Sequence, residues 1–421
     1  MQVIKSITKN RSVKGLFFWL TICSTCAIIT ALVTQQVILM THKLAISLVA
    51  AFITLTGCGG GGSGGAVAGP VEPTPEVLSQ FSYENRHRDY QYYAGETPLI
   101  TPGSIDARAF FKYKDGSDGF VAQQLISGPW NTPDISQAQP GTITFFKKVN
   151  GVWQNNNAVY DQANSVPGCI HPRKIAAADY NNDGAVDFAI SCHGWDAPPY
   201  PGERATILLS QTDGRYQLRY LSDDIDFKHG LTSVDINRDG NVDLIVTAMN
   251  GVNVFINNGT GYFTKSTTYT IPQVARAFHV EVLDLTGDGQ ADFVVGSHEW
   301  ESPTKIIVNR GDNDFGGSLF NRPTEITIPS VPNAGVIVDF LHVKSNNSLY
   351  ILRTGGSASN DPNFYKGMWL QKFTLDTKIS TVVYANADWQ SSNGRKWHTW
   401  ILEKDGYVVS DYGTSFRVRI E

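Results

Sequence analysis

Ala178-Asp-Tyr-Asn-Asn-Asp-Gly-Ala-Val-Asp187 is followed by Val234-Asp-Ile-Asn-Arg-Asp-Gly-Asn-Val-Asp243 and Leu283-Asp-Leu-Thr-Gly-Asp-Gly-Gln-Ala-Asp292. These are three copies of one pattern that align without a gap. A short apolar run leads into each copy and another leaves it: FAIS from Phe188, LIVT from Leu244 and FVVG from Phe293. A further apolar run follows and closes on a turn rich in Gly, Asn and Asp. Short runs bounded by such turns read as antiparallel strands joined by hairpins, about four to a unit.

Weaker copies extend the series on both sides. FFKYKDGSDGFVAQQLIS from Phe110, VIVDFLHVKSNNSLYILRT from Val336 and HTWILEKDGYVVSDYG from His398 keep the strand–turn–strand outline but lose the acids. Units therefore begin near residues 105, 174, 230, 279, 334 and 395. A repeat of roughly 50 residues with four strands has the dimensions of a propeller blade. Blades bury their apolar faces only against neighbours, so the array has to close on itself or be capped. The expected fold is an all-β propeller of six four-stranded antiparallel blades over residues 79–421, with seven blades as the alternative. The last unit has room for about three strands, so residues 75–104 are expected to supply the missing outer strand.

The acidic pattern has a chemical reading. Asp179, Asn181, Asp183 and Asp187 put alternating oxygens inside one tight loop, Gly184 permits the turn, and the carbonyl of Ala185 adds a further oxygen. Carboxylates crowded in this way repel unless a cation is present, and a flexible cage of hard oxygens suits Ca²⁺. The second loop offers Asp235, Asn237, Asp239, Asp243 and the carbonyl of Asn241. The third offers Asp284, Thr286, Asp288, Asp292 and the carbonyl of Gln290, with Thr286 the weakest donor. An EF-hand needs Glu at the twelfth loop position, where this chain has Ile190, Val246 and Val295. The alternative is three solvated, metal-free turns. These repeats resemble the FG-GAP and VCBS family, β-propellers also found in integrin α chains, over about residues 100–421. The resemblance is specific only in the three acidic copies. It implies calcium in the loop between a blade's first two strands, about three ions in all.

Loops at the other ends of those strands gather on the opposite face. His193, Trp195, His298 and Trp300 recur in register just after the second strand, and Trp130 takes the equivalent place in the first blade. His171, His229, His279 and His398 precede first strands. Imidazoles and indoles on one face suit sugar stacking, a transition metal or acid–base chemistry. They equally suit a plug for the axial channel and covers for blade junctions. Cys169 and Cys192 flank the first hairpin of the second blade and are expected to form a disulfide, with two free thiols as the alternative.

Composition narrows the class. The chain of 421 residues has 9 Trp, 17 Tyr, 21 Phe and 39 Gly, with only 17% charged residues, which excludes a long disordered polyelectrolyte. Residues 1–57 hold Lys5, Lys9, Arg11, Lys14 and Lys43 and no acid, leaving 29 basic against 39 acidic side chains beyond. So acidic a body lacks the footprint of a nucleic-acid binder. Residues 1–57 read as a targeting region with two apolar runs. One is Leu16 to Val33; the other starts at Met40 and ends in Leu55-Thr56-Gly57-Cys58, which resembles the bacterial lipobox. Two spans in series would return Cys58 to the cytoplasm, so Met40 is the expected start and a membrane hairpin the alternative. Lipidated Cys58 would anchor the protein in the outer membrane, and residues 58–78, rich in Gly, Ser and Pro, read as a tether.

No G-x-S-x-G, HExxH or Walker loop is present. The function expected from sequence is a calcium-stabilised binding or adhesion module for a glycan or protein ligand, more a binding protein than an enzyme. The alternative is a carbohydrate-active enzyme resembling polysaccharide lyases and using the His/Trp face.

Overall fold

The computed structural model describes residues 106–129, 131–269, 271, 276–308, 324–389, 401–410 and 416–421. Leu16–Val33, Met40, Cys58, the tether, the strand expected from residues 75–104, Trp130 and His398 lie outside the described residues.

Each apolar run becomes a strand, and each unit becomes one antiparallel sheet whose strands pair in sequence order. Five sheets have four strands. The last has three described strands: Ile401–Lys404, Tyr407–Ser410 and Arg417–Arg419. We number the sheets as blades 1 to 6. The first strands of blades 1 to 5 are Asp106–Lys112, Pro172–Ala178, Leu231–Val234, His279–Leu283 and Val336–Val343. Second strands are rich in apolar residues and buried because both of their faces meet a neighbouring blade. Asp187–Cys192, Asp243–Ala248 and Asp292–Gly296 are buried at every position. Outer strands alternate, as Tyr216–Asp226 does, because one face looks out to water.

Six apolar clusters hold the array, one at each blade junction. Phe111 of blade 1 meets Phe188 of blade 2 edge-on at 4.8 Å. The closing junction sets Phe110, Phe120 and Ala122 of blade 1 against Leu402 and Val409 of blade 6. Burying each of the larger side chains is worth about 1.5–3 kcal/mol. This contact makes the array a ring and fixes the count at six rather than seven.

Polar groups tie the first strands together around the axis. Lys174 Nζ of blade 2 lies 2.7 Å from Glu281 of blade 4 and 3.4 Å from Asp339 of blade 5. Thr232 Oγ1 of blade 3 donates to Glu281 at 3.2 Å, and the Ile401 amide of blade 6 donates to Asp339 at 2.8 Å. His279 Nε2 stands 3.0 Å from Asp339 and 3.1 Å from Glu281. Buried charges are tolerable only when paired in this way, so one network spans five of the six blades.

Candidate functional site: two faces of one ring

The three acidic loops lie side by side on one face and share one backbone path. Their fourth and sixth positions have positive φ: 56° at Asn182, 59° at Arg238 and 77° at Gly287, then 81°, 88° and 78° at Gly184, Gly240 and Gly289. Two left-handed residues in three fold the loop back on its first carboxylate. Asp179 accepts from the amides of Asp183 and Gly184, Asp235 from Asp239 and Gly240, and Asp284 from Asp288 and Gly289, at 2.8–3.1 Å.

The last acid of each loop is wholly buried and braces the blade. Asp187 accepts from the amides of Tyr180 and Ser210, at 2.8 and 2.7 Å. Asp243 accepts from Ile236 and Asn257, and Asp292 from Leu285. Burial pushes the Asp187 and Asp243 carboxyls up to about 7 against the pull of those amides. Burial also raises Asp235. Burial acts upward on Asp183 too, but the Ala185 amide, the Ser210 hydroxyl and the Lys114 ammonium together bring it below its ordinary value.

A cation already approaches one loop, since Lys114 of blade 1 reaches to 3.4 Å from Asp183. Neighbouring loops touch: Asn182 donates to Asn241 at 2.9 Å, and Arg238 donates to Gln290 at 2.8 Å. The residues named from sequence thus sit in three like loops, whose oxygens are hard donors of the type calcium takes. Among the described residues, three groups bring His, Cys, Asp or Glu donor atoms within 4.8 Å of one another, and the carboxylates of the acidic loops form none of them.

The other face holds a cavity of about 590 Å³. Its walls come from the loops after second strands and the connections into first strands of blades 2 to 5. Arg173, His229, Arg276 and Phe278 belong to connections and strand starts; His193, His298, Phe364 and Tyr365 belong to loops. Arg173 is central. Its guanidinium lies 6.0 Å from the centre of the Phe278 ring, it is hydrogen-bonded to Tyr365, and its Nε is buried with no hydrogen-bond partner. The imidazoles run in a chain, His171 to His193 at 4.9 Å and His193 to His229 at 4.2 Å between ring centres. Burial, helped by the charge of Arg173, holds all three well below the usual histidine range, so they are neutral near pH 7. Burial also lowers His298, opposed by Glu301, which pairs with Arg276 across the cavity wall. Tyr365 is pushed up to about 12 by burial, with Arg173 acting against it.

Residues singled out from sequence divide on this face. His193, His229 and His298 line the cavity. His171 sits just behind His193, and His279 turns to the axial network. Trp195 is only 4% exposed, and Trp300 stacks on His298 at 4.6 Å and meets Phe364 edge-on at 5.8 Å; neither lines the cavity. Sequence reasoning missed Arg276, Phe278, Phe364 and Tyr365. The last two ride on the long blade 5 loop between Ser348–Thr354 and Met368–Thr374, whose length was the available signal. Cys169 and Cys192 are joined by a disulfide, with Cα atoms 5.4 Å apart.

Residues 235–295 match the family model described as FG-GAP-like repeat, so this chain carries an FG-GAP-like repeat on a six-bladed propeller. No curated protein matches the sequence significantly. Solved structures that this chain is similar to include three at low identity. One is an Agrocybe aegerita lectin specific for non-reducing terminal N-acetylglucosamine, 14% identical over 69% of this chain and 83% of that one, TM-score 0.39. Another is a Dyadobacter fermentans protein of unknown function, 11% identical over 74% and 91%, TM-score 0.45. The third is a GH43 β-1,3-galactosidase solved with galactodeoxynojirimycin, 9% identical over 69% and 100%, TM-score 0.34. At these values the likenesses carry no argument about ligand or activity.

Proposed function

We propose that this protein is a calcium-stabilised binding module, lipid-anchored through Cys58 at the outer membrane, that takes an anionic glycan or glycan-bearing ligand into the cavity of blades 2 to 5. The observation that carries the reading is Arg173, a half-buried guanidinium with an unpartnered Nε, opening on an aromatic-walled cavity with Arg276 nearby. A carboxylate or sulfate on a sugar satisfies such an arginine by charge-assisted hydrogen bonds, and the rings of Phe278, Phe364 and Tyr365 offer faces for its C–H groups. About 590 Å³ falls in the range of small-ligand sites.

In the same reading, Asp179, Asn181, Asp183, Ala185 and Asp187, with their counterparts in the next two loops, would hold Ca²⁺, which would neutralise crowded carboxylates and stiffen the opposite face. The test is a glycan array of neutral, carboxylated and sulfated sugars, run with and without EDTA. Binding confined to acidic sugars and lost in Arg173→Ala is the expected result. Equal binding of neutral sugars, or indifference to Arg173→Ala, overturns it.

A second reading is favoured by one observation: the neutral imidazoles of His193 and His229 stand beside Arg173 and Tyr365. A base next to a charge-neutralising group is what a lyase acting on uronic-acid polymers needs. Incubation with polyuronates and measurement of the ultraviolet absorbance of unsaturated products separates the two. Absorbance that does not rise, with binding intact, leaves the binding module.

A further inference from the structure

We propose that His171, His193 and Asp196 form an open site for a divalent transition metal, zinc by preference, in the wall of the cavity. Their donor atoms lie within 4.8 Å of one another. The two imidazoles are held there by structure unusual for a surface loop. His171 is two residues past Cys169 and His193 one past Cys192, so the disulfide pins the two segments together. The His193 amide donates to the His171 carbonyl at 2.9 Å, and the half-buried carboxylate of Glu203 accepts from the Ile170 amide at 2.7 Å. Gly194, at φ 82°, passes so close to Gly202 that an added Cβ would meet its backbone at 2.6 Å. This close crossing turns the loop and brings Asp196 to the cavity mouth.

The chemistry suits a metal. His193 Nδ1 donates to the Gly194 carbonyl at 3.2 Å, which leaves the Nε2 lone pair available to an ion. A backbone acceptor on the second ring nitrogen is the usual way of orienting a metal-binding histidine. Two nitrogens and one carboxylate suit Zn²⁺ and its neighbours rather than Ca²⁺. Tetrahedral zinc, with bonds of about 2.0–2.2 Å, needs donors roughly 3.3 Å apart. Asp196 is exposed and can swing inward while the clamped imidazoles stay in place. Three protein ligands leave a fourth position facing the cavity, as in sites that act on a bound ligand.

The other two donor groups are already committed. Cys169 and Cys192, grouped with Glu203, are oxidised to the disulfide. His279, Glu281 and Asp339 already have the Lys174 ammonium among them. The inference does not rest on any glycan reading of the cavity, because the metal is titrated alone.

The experiment strips the full protein with a chelator and titrates Co²⁺, then Zn²⁺, in millimolar Ca²⁺ that saturates hard-oxygen sites. One equivalent of Co²⁺ with the intense visible absorption of a four-coordinate ion, displaced by Zn²⁺, is expected. Asp196→Asn, at an exposed position, should keep the melting temperature and weaken Co²⁺ by roughly 10–100-fold or more, since outer-shell changes alone reach that range. His193→Gln should abolish the absorption. No bound equivalent in the unaltered protein, or an affinity unmoved by both substitutions, overturns the proposal.

Discussion

The two faces of this ring are built from opposite ends of the same strands, yet they follow different rules. On one face, blades 2 to 4 repeat a single device: a nine-residue turn with two left-handed positions and a buried bracing aspartate. On the other, no two blades bring the same set of groups. Blade 2 gives Arg173 and His193, blade 4 gives His298 and Glu301, and blade 5 gives Phe364 and Tyr365. Repetition accompanies a local task, because each of these loops closes the first hairpin of its own blade with the same backbone hydrogen bonds. Variety is what the proposed recognition would need, each wall of one cavity meeting a different part of a ligand.

The comparison can be broken first at the axis that joins the faces. Lys174→Met leaves Glu281 and Asp339 buried without their cation. It should cost about 3–5 kcal/mol in chemical denaturation, more than any single acidic-loop change. A cost below 1 kcal/mol would mean that the network only occupies the axis. Next comes the clamp behind the cavity. Replacing Cys169 and Cys192 by Ser opens a loop spanning 23 positions and should cost about 3 kcal/mol in the chain-entropy model. It should weaken ligand or Co²⁺ capture on the cavity face while leaving the EDTA response of the other face unchanged.

Calcium sharpens the contrast from the opposite side. EDTA should lower the melting temperature, and Asp183→Ala, Asp239→Ala and Asp288→Ala should each remove part of that response. Linkage gives about 2.7 kcal/mol when free Ca²⁺ is a hundred times its Kd. A melting curve indifferent to EDTA, with no Ca²⁺ by elemental analysis, would falsify the loop assignments.

The smallest effect is in the sign of the pH response. Asp187 and Asp243, raised to about 7 in the fold, bind more protons folded than unfolded between about pH 4 and 7. Their contribution to stability therefore falls as pH rises through that window. His171, His193 and His229 are lowered, so below about pH 6.5 the unfolded chain takes up protons first and their contribution falls as pH drops. Calorimetry without Ca²⁺ across pH 4.5–8 should show both slopes. His193→Gln should flatten only the acid limb, and Asp187→Asn only the rise in cost towards pH 7. Matching slopes in both variants would remove the distinction.

The sequence by itself determined the blade, its repeat and the acidic loops, because those depend on residues close along the chain. Alternating apolar runs, Gly-rich turns and oxygens at every second position are local patterns, and a turn of nine residues contains all the contacts that shape it. Six copies could also be counted, although the closing contact of Phe110 and Phe120 with Leu402 and Val409 was visible only once the ring had formed. Sequence register put His193, His229 and His298 on the cavity's face, but the groups that join them there were decided by tertiary structure. Arg173, Phe278 and Tyr365 are far apart in sequence and share no periodicity, so nothing local announces that they meet. The same holds for the tryptophans: Trp195 and Trp300 recur in register, but recurrence fixes only which end of a blade a side chain occupies. Whether it faces a ligand or fills a junction depends on the neighbouring blade, and here one indole is buried and the other stacked on His298.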